Sequence, residues 1–350
     1  MIIDGHCHIF PYLGGACGYE SASAHIAGIE GSLCRRPTTE AKYSSEPPDV
    51  RFRVGKFGRF EWVEGDVPRF RQVFPPSLQD MTASPEFMIA QMDHAGIDMA
   101  VLHNDKFYGK FNNYFAYAAR EYPSRFIGLA EVNELEAYKE SEILKLRHAI
   151  KDLGLKGIYF TAARFLGVGD PGGYLDKKFD LFWREVSDLK VPVIYWGLYS
   201  WNMSAEINME RLRLFNIWAE RFPDIASVPV EGLCAHPYVK KNGEFRYPDG
   251  ILAFFKKPNI FVDATYPIEA GTMGWDYPFP EAQRLIKQQY EELGPHKLIW
   301  GSDIPNVERN CTYKQSMTYL RDYCDFIKPK DMALILGGNL ARILKIQKET

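Results

Sequence analysis

Short apolar runs alternate with amphipathic segments along most of this chain. The runs are Met1–Ile3, Met99–His103, Phe126–Glu131, Leu155–Phe160, Val191–Tyr195, Ser227–Ala235, Asn259–Asp263 and Lys297–Trp300. Apolar residues at helical spacing fill Pro85–His94, Asn113–Glu121, Glu140–Leu153, Phe179–Leu189, Glu210–Arg221 and Glu281–Glu292 between them. Two more such segments, Gln315–Cys324 and Met332–Leu344, close the chain. Proline follows the last turn at Tyr122-Pro123, Phe222-Pro223 and Lys257-Pro258, where it blocks further helix. Strand alternating with helix implies a parallel sheet with right-handed crossovers. Eight such units in 350 residues predict an α/β fold closed as a (β/α)8 TIM barrel, with an open doubly wound sheet as the alternative.

Residues 11–80 break this rhythm. They are rich in glycine, proline, aromatic residues and arginine (Arg35, Arg36, Arg51, Arg53, Arg59, Arg69, Arg71) and show no clear helical period. A connection of this length after the first strand is expected to be a lid or small subdomain within one barrel domain spanning 1–350.

Composition narrows the function. With 46% hydrophobic and 25% charged residues the chain can bury a large core. A net charge of −3 gives no reason to expect nucleic acid or an anionic membrane as partner. No stretch approaches 18 apolar residues, and the start lacks the basic and apolar regions of a signal peptide. The six cysteines form no C-x-x-C pair, which suits reduced thiols in the cytoplasm. A small-molecule substrate and a second copy of the chain are the expected partners. The 14% aromatic content fits core and oligomer contacts, or an aromatic-lined pocket.

The chemistry concentrates at strand ends. His6 and His8 follow the first apolar run, and residues two apart on a strand share a face, so both imidazoles can meet one cation while Cys7 points away. Such a pair alone is as often structural. It gains weight at the C-terminal end of a barrel strand, where barrel active sites assemble. Asp303 lies just beyond the eighth run and His236 just beyond the sixth. Each alone reads as a turn or a satisfied structural residue. Strands one and eight meet across the closure, however, which brings Asp303 towards the histidines. Arg164 follows the fourth strand, and its planar fork suits a carboxylate. His103 and Lys106 follow the second strand and are candidate pocket residues.

Asp4-Gly5-His6-Cys7-His8, Ala235-His236-Pro237, Trp300-Gly301-Ser302-Asp303-Ile304-Pro305 and Ile335-Leu336-Gly337-Gly338-Asn339-Leu340-Ala341-Arg342 together resemble the amidohydrolase-related family that includes aminocarboxymuconate semialdehyde and γ-resorcylate decarboxylases. The resemblance runs from about Met81 onward, plus the first ten residues. It implies one divalent metal ion, zinc first with manganese or magnesium as alternatives, held by His6, His8 and Asp303. Asp303 and His236 would act in catalysis, with His236 transferring protons. The family also places a ligand histidine after the fifth strand, where this chain has Tyr195 or Trp196. A neutral phenol is a poor ligand, so the site is expected to be looser than a four-ligand one, with Tyr195 lining the substrate pocket beside Arg164 and His103. The expected activity is non-oxidative decarboxylation of a small aromatic or unsaturated acid. Hydrolysis of an amide, lactone or C–C bond is the alternative, and a non-catalytic binding barrel is the reading from another class.

Overall fold

The computed structural model describes residues 1–34, 37–39, 42–43, 50–105, 107–198, 203–230, 233, 236–238, 247–264 and 276–346. In chain order the strands are β1 (Ile3–Cys7), β2 (Pro37–Thr39), β3 (Lys42–Tyr43), β4 (Arg51–Val54), β5 (Arg59–Glu64), β6 (Val67–Gln72), β7 (Met99–Leu102), β8 (Phe126–Ala130), β9 (Gly157–Phe160), β10 (Val193–Gly197), β11 (Ala226–Val230), β12 (Val262–Asp263) and β13 (Leu298–Ile299). Strands β1, β7, β8, β9, β10 and β11 pair in that order, all parallel, and β12 pairs with β13.

Backbone hydrogen bonds join these two sheets into a closed ring. Ser227 N donates to Asn259 O at 2.7 Å and Phe261 N to Ser227 O at 2.9 Å, which links β11 to β12. At the other seam Gly5 N donates to Trp300 O at 3.0 Å, Asp303 N to His6 O at 2.8 Å and His8 N to Ile304 O at 2.9 Å. The predicted barrel is therefore the observed one, and each predicted apolar run contributes a strand. Closure leaves no open sheet edge among the described strands of the ring.

Alternation sorts the side chains. Ile3, Val101, Leu129, Tyr195, Val228, Phe261 and Ile299 point inward and pack as one buried cluster. Phe160 and Trp196 point outward from their strands and meet Trp183 and Trp218 of the covering helices, with Trp196 and Trp218 ring centroids 4.6 Å apart. Much of the aromatic content thus serves the strand–helix layer.

The helices begin and end where their caps dictate. Ser84 Oγ accepts from Phe87 N ahead of Pro85–Ala95, and Gly96 ends that helix at φ 75°. Thr312 and Gln315 form a capping box for Tyr313–Tyr323.

Two expectations need correction. The segment between β1 and β7 contains a helix, Ala22–Cys34, and an antiparallel sheet β4-β5-β6. The helix escaped detection because only His25 and Ile29 are buried along it, so no apolar stripe marks its face. The single helix expected over Met332–Leu344 is instead two short helices, Pro329–Ala333 and Asn339–Ile343, joined by a π-turn at Leu334–Gly338. A Cβ on Gly337 would lie 2.6 Å from Met1 O, so the break lets this segment press against the start of the chain. Trp300 N donates to Ile335 O, and the Asn339 amide donates to Pro295 O and Leu298 O, which ties the turn beneath β13.

Among the described residues no helix is long and apolar enough to cross a membrane. Cys7, Cys17, Cys34 and Cys324 are free thiols.

Candidate metal centre

The first strand carries an irregularity that sets the site. Asp4 pairs with Ala100 and Cys7 with Leu102, so β1 fits three steps against two on β7. Strict alternation from inward-facing Ile3 would send His6 outward. The extra residue reverses the phase, turning His6 and His8 into the barrel mouth and Cys7 into the outer layer. Asp4 sustains this bulge: its Oδ1 accepts from His6 N at 2.9 Å and Ser302 N at 2.8 Å, and its Oδ2 from Ser302 Oγ at 2.5 Å and Tyr313 Oη at 2.7 Å. Burial pushes the Asp4 carboxyl up to about 6 against the pull of these donors.

Three donors converge at the mouth. His6 Nε2 and His8 Nε2 lie 3.1 Å apart, and Asp303 Oδ1 lies 3.5 Å from the first and 2.9 Å from the second. All three residues are buried, and their ligating atoms fall within 4.8 Å of one another. Two imidazole nitrogens and one carboxylate oxygen at these separations could hold one metal ion. Burial works against the Asp303 anion, but His6, the hydrogen bond and charge of His8, and the Asn306 amide together hold its carboxyl below the usual range.

Each donor is oriented from behind. His6 Nδ1 lies 3.1 Å from Asp263 Oδ2, and His8 Nδ1 lies 3.0 Å from His103 O. An acceptor behind each Nδ1 favours the tautomer in which a bound cation would take the Nε2 lone pairs, in place of the Nε2 contact to Asp303. Asn306 Nδ2 donates to Asp303 Oδ1 and to Tyr108 Oη, both at 2.9 Å. Asp263, Asn306 and Asp4 support the candidate site residues and were not singled out from the sequence. Asp263 had a visible signal, a carboxylate ending the seventh apolar run.

The other predicted residues are less uniform in placement. His103 continues the inward phase of β7 and stacks on His6 with centroids 4.3 Å apart and planes at 15°. Burial, reinforced by the nearby His6 and His8 imidazoles, holds its pKa well below the usual histidine range, so the ring is neutral. Tyr195 also faces inward, fully buried, with its ring 4.3 Å from that of His103. Burial and then the Asp263 and Asp4 charges push its phenol well above the usual range, so it stays protonated. Trp196, the other residue at this strand end, faces the outer layer. His236 opens a short 3₁₀ turn, His236–Tyr238, after β11; its side chain, and Lys106 altogether, lie outside the described residues.

Arg164 stands at the end of β9 with Nη1 donating to Glu134 Oε2 at 2.5 Å and to Asn133 Oδ1 at 3.0 Å. Its side chain is 30% exposed and that of Glu134 only 4%. Removing the arginine takes the cation away from a buried carboxylate. Arg164→Ala is therefore expected to lower stability by about 2 kcal/mol, below the range for a fully buried pair because water reaches the guanidinium. Urea denaturation reads this directly; an unchanged midpoint would mean that Glu134 is carried by its other donors, such as Thr161 N.

The sequence matches the amidohydrolase family over residues 3–346. Comparison with curated proteins gives no match. Among solved structures, a probable 2-pyrone-4,6-dicarboxylic acid hydrolase from Acinetobacter baumannii, with citric acid bound, superposes at TM-score 0.57 and 16% identity, covering 99% of each chain. An uncharacterized TIM-barrel protein from Bordetella bronchiseptica reaches TM-score 0.60 at 16% identity over 98% of each chain. A dihydroxybenzoic acid decarboxylase from Polaromonas, with bound manganese and an inhibitor, reaches 0.53 at 15% identity, over 76% of this chain and 87% of its own. At these identities the likeness is one of fold.

Proposed function

Since the chain belongs to the amidohydrolase family, and is an enzyme of that superfamily, we propose that it acts on a small carboxylated aromatic or unsaturated acid at a single divalent cation, by non-oxidative decarboxylation. The observation that carries this reading is the convergence of His6 Nε2, His8 Nε2 and Asp303 Oδ1 at the C-terminal mouth of the barrel. The donor set fits the cation: three buried ligating atoms, with an acceptor behind each imidazole. Zinc is the first choice, with manganese and magnesium as alternatives. Bound there, a divalent cation supplies Lewis acidity to a substrate oxygen.

The chain's own residues supply the rest. Asp303, kept ionised, is both ligand and acceptor for a proton in the pocket. His236, at the mouth beyond β11, gives or takes the proton at the reacting carbon. Arg164 anchors a carboxylate at the rim with the guanidinium nitrogens that Glu134 and Asn133 leave available. His103 and Tyr195 line the floor.

Hydrolysis is the second reading. It covers an amide, lactone or C–C bond, and the neighbour described as a probable hydrolase shares the fold over 99% of this chain. The test is a panel of aromatic, muconate-type and lactone acids offered to the zinc- and manganese-loaded protein, with carbon dioxide release and ring opening followed separately. Carbon dioxide release that falls about 10²-fold or more in His236→Ala supports the proposal. Ring opening without it moves the enzyme to the hydrolases, and acids that bind unchanged by any metal-loaded form point to a binding barrel.

A further inference from the structure

Beside the metal-facing atoms lie two buried polar groups that the donor set does not use. His103 is 1% exposed and Tyr195 is fully buried. Neither ring nitrogen of His103, nor the Tyr195 hydroxyl, has a hydrogen-bond partner. The Gly5 carbonyl lies near the His103 ring without meeting hydrogen-bond geometry. Polar atoms buried this deeply are almost always paired, and leaving one unpaired is costly. Two adjacent exceptions, in edge contact at 4.3 Å and with His103 stacked on His6, mark a place where a bound molecule completes the bonding.

The chemistry of that place is restricted. An imidazole nitrogen can donate or accept a hydrogen bond, and a phenol offers an O–H that can also accept. No cation faces them among their described contacts, whereas the charges of Asp263 and Asp4 reach Tyr195. A second anion there would be repelled, but a neutral oxygen would not. His103 also lies outside the set of atoms that gather within 4.8 Å at His6, His8 and Asp303.

We infer that His103 and Tyr195 form a specificity subsite for a neutral oxygen, a hydroxyl or carbonyl carried by the acid substrate. The inference rests on the proposed binding of a carboxylated acid at this centre, and adds that the acid bears a second, uncharged oxygen function. It also assigns a use to the fifth-strand position: Tyr195 selects substrate and takes no part in holding the cation.

The test is calorimetric binding of benzoate, 2-hydroxybenzoate and 3-hydroxybenzoate to zinc-loaded wild type, His103→Ala and Tyr195→Phe. Wild type is expected to prefer one hydroxylated acid over benzoate by about tenfold, the worth of one buried hydrogen bond. Both variants should bring that preference within about twofold while retaining the zinc stoichiometry of wild type. Tyr195→Phe should melt at or above the wild-type temperature, since its hydroxyl loses no protein partner. Preference that survives in both variants, or is missing from wild type, overturns the inference. So does a marked drop in the Tyr195→Phe melting temperature, or loss of zinc in His103→Ala, which would make that residue a ligand. Wild type that binds none of the three acids overturns the substrate class together with the inference, whereas binding without the expected preference overturns the inference alone.

Discussion

Replacing His6 and His8 together by alanine is expected to leave a folded barrel that no longer retains a stoichiometric metal ion. The two imidazoles supply two of the three converging donors, and Asp303 alone offers one carboxylate oxygen. If each donor carries a comparable share of a binding energy on the order of 10 kcal/mol, affinity falls by more than about 10³-fold. The fold should persist because β1 is held by its backbone ladder to β7 and by the Gly5–Trp300 and Asp303–His6 main-chain bonds, none of which needs an imidazole. Both rings also sit at the mouth, outside the inward-packed cluster of Ile3, Val101 and their neighbours. Elemental analysis beside far-ultraviolet circular dichroism separates the two effects. Unchanged metal in the folded double variant would sink the assignment of these ligands.

The second large effect is expected one step behind the ligands. Asp263→Asn removes the anionic acceptor 3.1 Å from His6 Nδ1. The carboxylate holds the proton on Nδ1 and the ring at a fixed angle, so that the Nε2 lone pair faces the mouth. An amide of nearly the same shape accepts more weakly and, if flipped, presents a donor to the wrong atom. Groups in this position change metal affinity by roughly 10–100-fold in comparable sites. Competition with a chromophoric chelator measures the change, and the melting temperature should move little because packing is preserved. Equal affinity in variant and wild type would show that His6 needs no support from β12.

The Asp303 end of the site was more accessible to sequence reasoning than the Asp263 end. Trp300-Gly301-Ser302-Asp303 follows a clear apolar run, and a barrel brings its first and last strands together by topology alone. Asp263 ends an equally plain run, but nothing local says that its carboxylate reaches across to a histidine 257 residues away. Arg164 was legible as a fork at a strand end, whereas its engagement by Glu134 was not. That pairing depends on two loops meeting above β8 and β9.

What the sequence determined by itself is whatever depends on period and order. Alternating apolar runs and helical stripes specify strands and helices, eight repeats favour closure, and the H-x-H spacing puts both histidines on one shared face. These are short-range consequences of backbone geometry, so they can be read without coordinates. The tertiary structure decided the phase and the partners. The extra residue in β1, stabilised by Asp4, sets which face the histidines take, because a one-residue shift reverses every side chain in a strand. It also decided that Tyr195, rather than Trp196, meets the site, and that His103 and the Tyr195 hydroxyl lie buried there without a partner. Contacts of that kind join residues far apart in the chain, and their energies depend on distance and burial, which only the folded arrangement supplies.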